Sequence, residues 1–452
     1  MKKLILAMLF VCVNAFSQET LDSLDRRQTE LSEHYLGLMA ELPTIQEFND
    51  AALRGHRETI APGILKIRRF FDAYDKFNLT KIDYFFNEVL LRARAEALLE
   101  IKTTGKLPKK AGKLLKGIEA DYIAYQDAKK YFGTEQDMER LDIGQRILPG
   151  YAEFVKTLRK ERGEKPWRKF GSAKIVPFVD TVPDFLKVSG QFARLLWNSY
   201  FRANTGKADR APIPEALAAA QRKLVKMRNI QTKWEGMENV KDVSHDGKTL
   251  HMFLINHANS FYDTSAQQAF PIKGMSSMGN VDVFFPAFLA RRMVKSDHMV
   301  TVGHGDTTQK TIDLVRTKQL NRFFLAVEGI TGVGLFEMRP VMPLFNFAIY
   351  DSIARGLELK LYPVAFPDNF RLMNDWRSPI EGPKVARGVV YPPINNEICL
   401  NLKEITQTDD AVAQLIRWNW FHSLNNSNDE VLSMPAPSAI MNSLDKMIWG
   451  ME

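Results

Sequence analysis

Leu254–Asp263 reads Leu-Ile-Asn-His-Ala-Asn-Ser-Phe-Tyr-Asp and continues an apolar run that begins at Leu250. The run predicts a buried strand, and Asn256 and His257 follow it in a predicted polar turn. Asp263 lies six residues after His257. An imidazole takes up a proton near neutral pH, and a neighbouring carboxylate fixes its tautomer and stabilises the imidazolium. The stretch therefore indicates a strand end with a base able to activate a hydroxyl group, unless the two residues are unrelated members of a loop.

Strand-like and helical patterns alternate from about Glu238 onward, which is typical of an α/β domain with a mixed or mostly parallel sheet flanked by helices. The predicted strands cover residues 250–255, 298–302, 322–327 and 359–366, and the predicted helices cover residues 263–270, 283–296 and 308–317. Functional residues of such sheets collect beyond the strand ends. We therefore expect His257, His304 and Glu328 at one edge of the sheet, because each follows a predicted strand.

The part of the chain before this domain is rich in Leu, Ala, Glu, Lys and Arg and predicts helices. Apolar residues recur at helical spacing in Tyr84–Ile101, and Gly105–Pro108 separates that helix from the next. The predicted organisation is a helical N-terminal region at 18–165, an amphipathic connecting region with a helix over Glu215–Ile230 at 166–235, the α/β domain at 236–425 and a tail at 426–452.

Residues 1–17 have the features of a signal peptide. The pair Lys2-Lys3 precedes ten residues, Leu4–Val13, that are almost all apolar, and Ala15 and Ser17 are small residues suited to cleavage. Ten residues are too few for a transmembrane helix, which needs roughly 20. We expect an exported protein that is periplasmic or attached to the membrane facing the periplasm; a buried N-terminal helix is the alternative.

Composition and charge narrow the classes of partner. The 452 residues include 61 basic and 53 acidic ones, so the net charge of +8 favours anionic surfaces. No zinc-knuckle, arginine-rich or RNA-binding aromatic signature accompanies this charge, which favours a lipid surface over nucleic acid. Cys12 lies in the predicted signal peptide, so the mature chain would keep only Cys399 and could form no internal disulfide.

A basic stretch lies at Lys156–Lys174. It holds eight basic and two acidic residues, a net charge of +6 (8 − 2), and Trp167 and Phe170 interrupt the charges. An apolar stretch from Val176 to Leu186 follows. Basic residues interleaved with aromatic ones beside an apolar segment indicate a membrane-surface patch; a solvated charged face is the alternative.

Four segments now stand in a recognisable order, namely Asn256-His257…Asp263, Met299–Asp306, Phe323–Thr331 and Leu361–Phe366. Their order resembles the motifs of the glycerolipid acyltransferase family of the lysophosphatidic-acid acyltransferase type. That family has Asn-His-x-x-x-x-Asp, then a strand ending in arginine, then Phe-Pro-Glu-Gly-Thr-Arg, then an apolar strand containing Pro-Val. The resemblance covers about residues 238–370, and it implies an acyltransferase-like α/β fold.

The chain also departs from the motifs of that family. Five residues, Ala258–Tyr262, separate the histidine from the aspartate where the family has four, so a one-residue bulge would be needed to pair them. His304 stands in place of the second-motif arginine, Val327 in place of the proline, and Ile330–Gly332 where Thr-Arg would be. Arginine forks suit phosphate because they bind it through two hydrogen bonds. The absence of the second-motif arginine and of the Thr-Arg arginine indicates another acceptor head group or a substitute cation, Arg339 or Lys310.

The resemblance implies roles for the candidate residues. His257 would be the general base that activates an acceptor hydroxyl, and Asp263 would orient it. The acceptor would be bound by Asn256, His304, Glu328, Gly329 and Arg339. The expected acceptor is a lyso-lipid or related lipid, and the expected donor is acyl-CoA, acyl carrier protein or a phospholipid, with no cofactor and no metal. The expected partners are a lipid acceptor, this donor and a membrane surface, with no nucleic acid.

Other interpretations of the same residues stay open. The chain could be an inactive exported lipid-binding protein with an acyltransferase-like fold, because the arginines are missing and the spacer is longer. His257 could cap a strand end, Glu328 could begin a helix, and His304 could be a turn residue. A serine hydrolase is a third class, but Gly274–Gly279 is not the Gly-x-Ser-x-Gly elbow of those enzymes.

Overall fold

The computed structural model of this chain describes residues 20–131, 144–163, 230–240, 243, 246–256, 270, 272, 276–279, 299–301, 306–318, 320–327, 342–365, 384–426 and 437–438. The predicted signal peptide, the predicted helix at 283–296 and nearly all of the predicted helix at 263–270 lie outside these residues. So do most of the connecting region at 166–235 and of the tail at 426–452.

The N-terminal region is helical, as its composition predicts. Its helices are α1 (Leu21–Glu41), α2 (Ile45–Leu53), α3 (Arg57–Thr104), α4 (Lys109–Ala128) and α5 (Gly144–Glu161). Thr44 and Glu47 form a capping box that starts α2, each satisfying a free backbone N–H. Gly105, at φ 83°, ends α3 in the left-handed conformation that glycine adopts without strain. The predicted break at Gly105–Pro108 is therefore confirmed.

The second part of the chain forms one mixed sheet with helices between and after its strands. Its strands are β1 (Ile230–Glu235), β2 (Thr249–Asn256), β3 (Ser276–Gly279), β4 (Met299–Thr301), β5 (Arg322–Val327), β6 (Glu358–Ala365), β7 (Lys384–Val390) and β8 (Ile394–Asn395). Its helices are α6 (Thr307–Lys318), α7 (Met342–Ala354), α8 (Asn396–Thr406) and α9 (Ala411–Asn426). The predicted strands at 250–255, 298–302, 322–327 and 359–366 and the predicted helix at 308–317 are confirmed.

The strand order is β1-β7-β6-β2-β5-β3-β4, with β8 also paired to β6. The five strands from β6 to β4 run parallel, whereas β7 and β8 run antiparallel to β6 and β1 runs parallel to β7. The expectation of a mixed or mostly parallel sheet with a helical N-terminal region is confirmed. One boundary was wrong: Ile230 was predicted to end a helix, but it begins β1.

One core joins the sheet to the N-terminal helices. Leu250 and Leu254 lie on one face of β2, where they pack in the same apolar cluster as Phe70 of α3 and Trp418 of α9. Cys399 of α8 is buried in this cluster, and burial raises the pKa of its thiol to about 12. The helices α1 and α2 and the first half of α3 therefore share a core with the sheet.

The opposite face of the sheet carries a second core. Alternate residues of the central strands point here, including Phe253 of β2, Phe324 of β5 and Tyr362 of β6. Phe270 packs against Phe253 and Phe324, with ring centroids 5.0 and 5.1 Å apart. Because β2 is buried on both faces, its sequence is a nearly continuous apolar run rather than an alternating one.

A third core lies within the helical region. The second half of α3 packs against α4 and α5 through Val89, Ile118 and Phe154. The helix α3 has 48 residues and is about 72 Å long. It therefore takes part in two cores, the sheet core near its beginning and this three-helix core near its end.

Candidate functional site

Two neighbouring strands end side by side at one edge of the sheet. Asn256, the last residue of β2, pairs with Val327, the last residue of β5, in a parallel register. The strands β3, β4 and β6 run in the same direction and end at Gly279, Thr301 and Ala365. The carboxyl ends of five strands therefore share this edge, where open α/β sheets bind their ligands.

Most of the predicted site residues lie just beyond these strand ends in sequence and outside the described residues. These residues are His257, Asp263, His304, Glu328, Gly329 and Arg339. Asn256 is described as the final residue of β2. The backbone pairing of β2 and β5 thus brings together the two strands that precede His257 and Glu328, whereas the pairing of His257 with Asp263 stays a prediction.

A ribbon formed by β1 and β7 stands beside the same edge. The strand β7 pairs with β6 only through Val389 and Val390, opposite the last two residues of β6. The earlier residues of β7, Lys384–Gly388, pair with β1 instead and continue past the last described residue of β6. We infer that this ribbon extends the sheet beyond the strand ends on the side of β6.

An aromatic contact fixes this ribbon to the sheet. Trp234 of β1 packs edge-on against Phe270, with ring centroids 4.7 Å apart. It also covers Gly388, where a Cβ atom would lie 2.3 Å from the indole ring. This ribbon was not predicted from the sequence, although residues 230–235, Ile-Gln-Thr-Lys-Trp-Glu, alternate between polar residues and apolar or β-branched ones with the period of a strand.

A second histidine of β2 has a structural environment rather than a catalytic one. His251 is buried near the beginning of β2, and its Nδ1 lies 3.2 Å from the hydroxyl of Tyr362 on β6. Their rings stack with centroids 6.0 Å apart. The pair lies on the sheet face that holds Phe253, away from the strand ends. We therefore assign it to packing of the sheet and not to the candidate site.

A carboxylate anchors the turn that leads into β2. Burial raises the pKa of Asp246, but hydrogen bonds from the Thr249 hydroxyl and the backbone of Thr249 and Lys248 outweigh it and lower the pKa to about 2. Asp246 is therefore ionised at neutral pH and bound by the turn itself. This carboxylate is a structural group that sets the start of β2.

The second predicted motif continues into the start of α6. Asp306 accepts a hydrogen bond from the backbone N–H of Gln309 at 2.9 Å, which satisfies a free N–H group of the helix. Arg355 donates to the other carboxylate oxygen at 2.7 Å. The hydrogen bond from Arg355 lowers the pKa of Asp306. Lys310, a predicted substitute cation, is exposed on the first turn of α6.

The serine-hydrolase interpretation requires a serine on a sharp turn between a strand and a helix. Ser276 and Ser277 lie instead within β3, which pairs with β4 on one side and β5 on the other. Ser277 pairs with Met299 and Phe324. A serine held in a paired strand does not have the exposed elbow geometry, so this class loses its nearest candidate.

The described part of the predicted membrane patch at Lys156–Lys174 ends at Gly163. Lys156 pairs with Glu153 at 3.4 Å, and Arg162 pairs with Glu100 at 2.7 Å. These two charges therefore stabilise contacts within the helical region. The residues of the patch after Gly163 lie outside the described part of the chain.

The described residues contain no group of three or more His, Cys, Asp or Glu able to hold a metal ion. No helix among them is long and apolar enough to cross a membrane. Comparisons with protein-family models, with curated proteins and with solved structures found no match to this chain.

Proposed function

We propose that this protein is an acyltransferase that moves a fatty acyl chain onto a hydroxyl of a lyso-lipid or related lipid. His257 is the general base, Asp263 orients it, and the fold of residues 236–425 is acyltransferase-like. The motif order stated above and the shared edge of the strand ends support this proposal.

The observation that carries the proposal is the pairing of Asn256 with Val327. Neighbouring strands lie about 4.8 Å apart, and consecutive Cα atoms lie about 3.8 Å apart. His257 directly follows Asn256, and Glu328 directly follows Val327, so each is one peptide unit beyond one member of this pair. The proposal places the base and the acceptor-binding carboxylate near each other at this edge of the sheet, and the pairing of the two preceding strand ends supports that arrangement.

The proposed reaction follows from the chemistry of an alcohol. An alcohol is a poor nucleophile unless a base removes its proton as the new bond forms. His257 takes the hydroxyl proton while the oxygen attacks the acyl carbonyl carbon. The tetrahedral intermediate then collapses, the bond to the donor breaks, and the imidazolium returns the proton to the departing group. The products are the acylated acceptor and the deacylated donor, which carries the returned proton.

The acceptor site is proposed to lie along the edge between the ends of β2, β5 and β4. Glu328 with Gly329 follows β5, and His304 follows β4, two strands further along the sheet. Arg339 or Lys310 is the proposed cation for an anionic head group in the absence of the family's arginines. Asn256 completes the set of acceptor-binding residues.

The donor is proposed from the expected compartment. Residues 1–17 are proposed to direct export, and acyl-CoA and acyl carrier protein are cytoplasmic. A phospholipid is then the available source of an acyl chain. The enzyme would act as a transacylase, with His257 returning its proton to the alkoxide of the donor lipid.

The test supplies labelled phospholipid or labelled acyl-CoA to the purified protein together with lyso-lipid acceptors. We expect His257→Ala to lower acyl transfer roughly 10²–10⁴-fold, the range that general-base catalysis contributes. His56→Ala is the matched control, because His56 is exposed at the start of α3 and makes no side-chain capping bond. We expect that control to retain full activity.

Two further variants separate the roles within the site. Glu328→Gln is expected to change chiefly the affinity for the acceptor, seen as a higher KM. Asp263→Asn is expected to lose less than His257→Ala if the longer spacer weakens their pairing. Transfer from neither donor, or transfer undiminished by His257→Ala, would reject the enzyme and leave an inactive lipid-binding protein as the better assignment.

A further inference from the structure

The end of the helical region where α3 passes into α4 carries a concentrated positive charge. Residues 101–118 contain six lysines and no acidic residue. All six side chains belong to exposed residues. They are Lys102, Lys106, Lys109, Lys110, Lys113 and Lys116. We define the lysine tip as residues 98–118, which are this segment and the three residues of α3 that precede it.

The acidic residues around the lysine tip already have ion-pair partners. Glu100 is only 3% exposed in its side chain and accepts a hydrogen bond from Arg162 at 2.7 Å. Glu119 pairs with Arg94 at 2.9 Å. Glu153 pairs with Lys110 at 2.9 Å. Among the described residues, the other five lysines of the tip therefore have no ion-pair partner.

This charge works against the stability of α4. The N-terminal end of a helix carries a positive partial charge that favours acidic residues in the first turn. The first turn of α4 has no acidic residue and begins with Lys109 and Lys110. Pro108 provides no side-chain cap. Lys109 and Lys110 are therefore not explained by the stability of the helix that carries them.

The lysines of α4 point away from the protein. The buried residues of this helix are Ala111, Ile118, Tyr125 and Ala128, and the first three recur every seven positions. Lys109, Lys113 and Lys116 stand at the spacing i, i+4 and i+7, which places them together on one face. Because all three are exposed, this face is the outward one, opposite the three-helix core.

Apolar side chains lie exposed beside the same charges. Leu98, Leu99 and Ile101 on the last turns of α3 are 37%, 51% and 43% exposed. Lys102 follows them directly. Lysines around exposed aliphatic residues are the combination that binds the head groups and the upper acyl region of an anionic lipid surface.

We propose that the lysine tip docks this protein on an anionic lipid bilayer. The lysines contact the anionic head groups, and Leu98, Leu99 and Ile101 enter the interface between head groups and acyl chains. Nucleic acid fits less well, because residues 98–118 contain no arginine and no aromatic residue to bind phosphate through a fork or to stack on bases. This surface is separate from the sheet edge and does not depend on catalysis.

The test measures flotation of the full chain with vesicles of phosphatidylcholine mixed with phosphatidylserine, and with phosphatidylcholine alone. We expect binding only to the mixed vesicles, and weaker binding at high salt. Each lysine near an anionic surface strengthens binding roughly fivefold. The triple variant Lys109→Gln, Lys113→Gln, Lys116→Gln is therefore expected to bind roughly 100-fold more weakly.

The matched control removes the same charge elsewhere. Lys76→Gln, Lys233→Gln and Lys248→Gln change three exposed lysines outside the tip. We expect this control to retain most of the binding. A second variant, Leu98→Ser with Leu99→Ser, is expected to weaken binding even at low salt, and circular dichroism of each variant checks that the helices persist.

Three outcomes would overturn the proposal. The first is an equal loss of vesicle binding in the tip variant and the control. The second is binding to pure phosphatidylcholine vesicles that the tip variant retains. The third is binding to an RNA or DNA duplex that depends on the tip lysines, with no binding to vesicles. His257→Ala is expected to bind vesicles as tightly as the unchanged protein. A failure of the acyltransferase proposal therefore leaves this result unaffected, and the reverse also holds.

Discussion

Buried charges are the residues whose environment departs furthest from their ordinary one. Arg417 of α9 is 2% exposed, donates to both carboxylate oxygens of Asp75 on α3, and lies over the ring of Phe71 with its Cζ 4.0 Å from the centroid. Burying an ion is tolerated only when a partner and further contacts replace its water. This pair joins two helices through residues that are 342 positions apart in sequence.

Lys81 of α3 is a second buried basic residue. Its Nζ donates to Asn78 Oδ1 at 2.9 Å and lies 5.5 Å from the centroid of the Phe77 ring. Burial lowers the pKa of its ammonium group to about 7. The folded state therefore favours the neutral amine, whereas the unfolded chain keeps an ordinary lysine pKa of about 10.4.

This difference predicts how stability depends on pH. Between pH 7 and about 10.4 the unfolded chain binds more protons at Lys81 than the folded chain does, so stability rises with pH across this window. Below pH 7 the penalty is fully present, roughly 3–5 kcal/mol at about 1.4 kcal/mol per pKa unit. We expect Lys81→Met to raise the free energy of unfolding at pH 7 by about that amount, and by little at pH 10. Denaturant titrations at several pH values measure this.

The exposed residue Lys76 on the same helix provides the control. Lys76→Met is expected to change the free energy of unfolding by less than about 0.5 kcal/mol at every pH, as surface substitutions usually do. A gain from Lys81→Met that is the same at pH 7 and pH 10 would contradict the buried-charge explanation and point to packing alone.

Among the elements, the ribbon of β1 and β7 depends on one close approach. A methyl group at Gly388 would lie within 2.3–2.8 Å of three atoms of the Trp234 ring. The ring cannot simply move aside, because Phe270 packs against it with ring centroids 4.7 Å apart. We expect Gly388→Ala to lower the free energy of unfolding by about 1–3 kcal/mol, the usual cost of overpacking. Near-UV circular dichroism should report the displaced tryptophan.

A double-mutant cycle tests the stated cause. In a Trp234→Ala background the same Gly388→Ala change is expected to cost much less, because the clashing ring is gone. Gly37→Ala in α1 is the matched control, since nothing lies within 4 Å of a Cβ there. That change should stabilise the helix by about 0.5–1 kcal/mol. An equal loss from Gly388→Ala in both backgrounds would exclude the ring contact as its cause.

For the whole molecule, the shared core decides which pieces can fold alone. Leu254 of the sheet, Trp418 and Phe421 of α9 and Phe70 of α3 belong to one apolar cluster. A fragment of residues 230–426 would expose the sheet face and the α9 face that α1, α2 and the first half of α3 cover. We expect this fragment to unfold without a cooperative transition and to bind a dye for exposed apolar surface, as partly packed states do.

The same contacts predict that the missing helices will restore the folding of this fragment. Co-expression with a second fragment, residues 20–163, is expected to restore a soluble complex and a cooperative thermal transition. The full chain is the reference. A fragment of residues 230–426 that unfolds cooperatively on its own, with the stability of the full chain, would show that the helical region and the sheet are independent domains.

Local pattern alone determined several elements correctly. The apolar runs before Asn256 and Val327 identified β2 and β5, and Gly105–Pro108 marked the turn between α3 and α4. These signals are local, because a run of apolar residues bounded by polar ones, or a glycine and a proline close together, constrains the backbone within a few residues. The motif order over residues 238–370 likewise came from the sequence, and so did every candidate site residue.

Only the tertiary structure decided which of these elements meet. The pairing of Asn256 with Val327 joins residues 71 positions apart (327 − 256), and the pairing of Trp234 with Gly388 joins residues 154 positions apart (388 − 234). Neither pairing leaves a local signal, because a strand's sequence specifies its faces but not its neighbours. The burial of Lys81 was hidden for the same reason, since an isolated amphipathic helix does not reveal which partners will cover it.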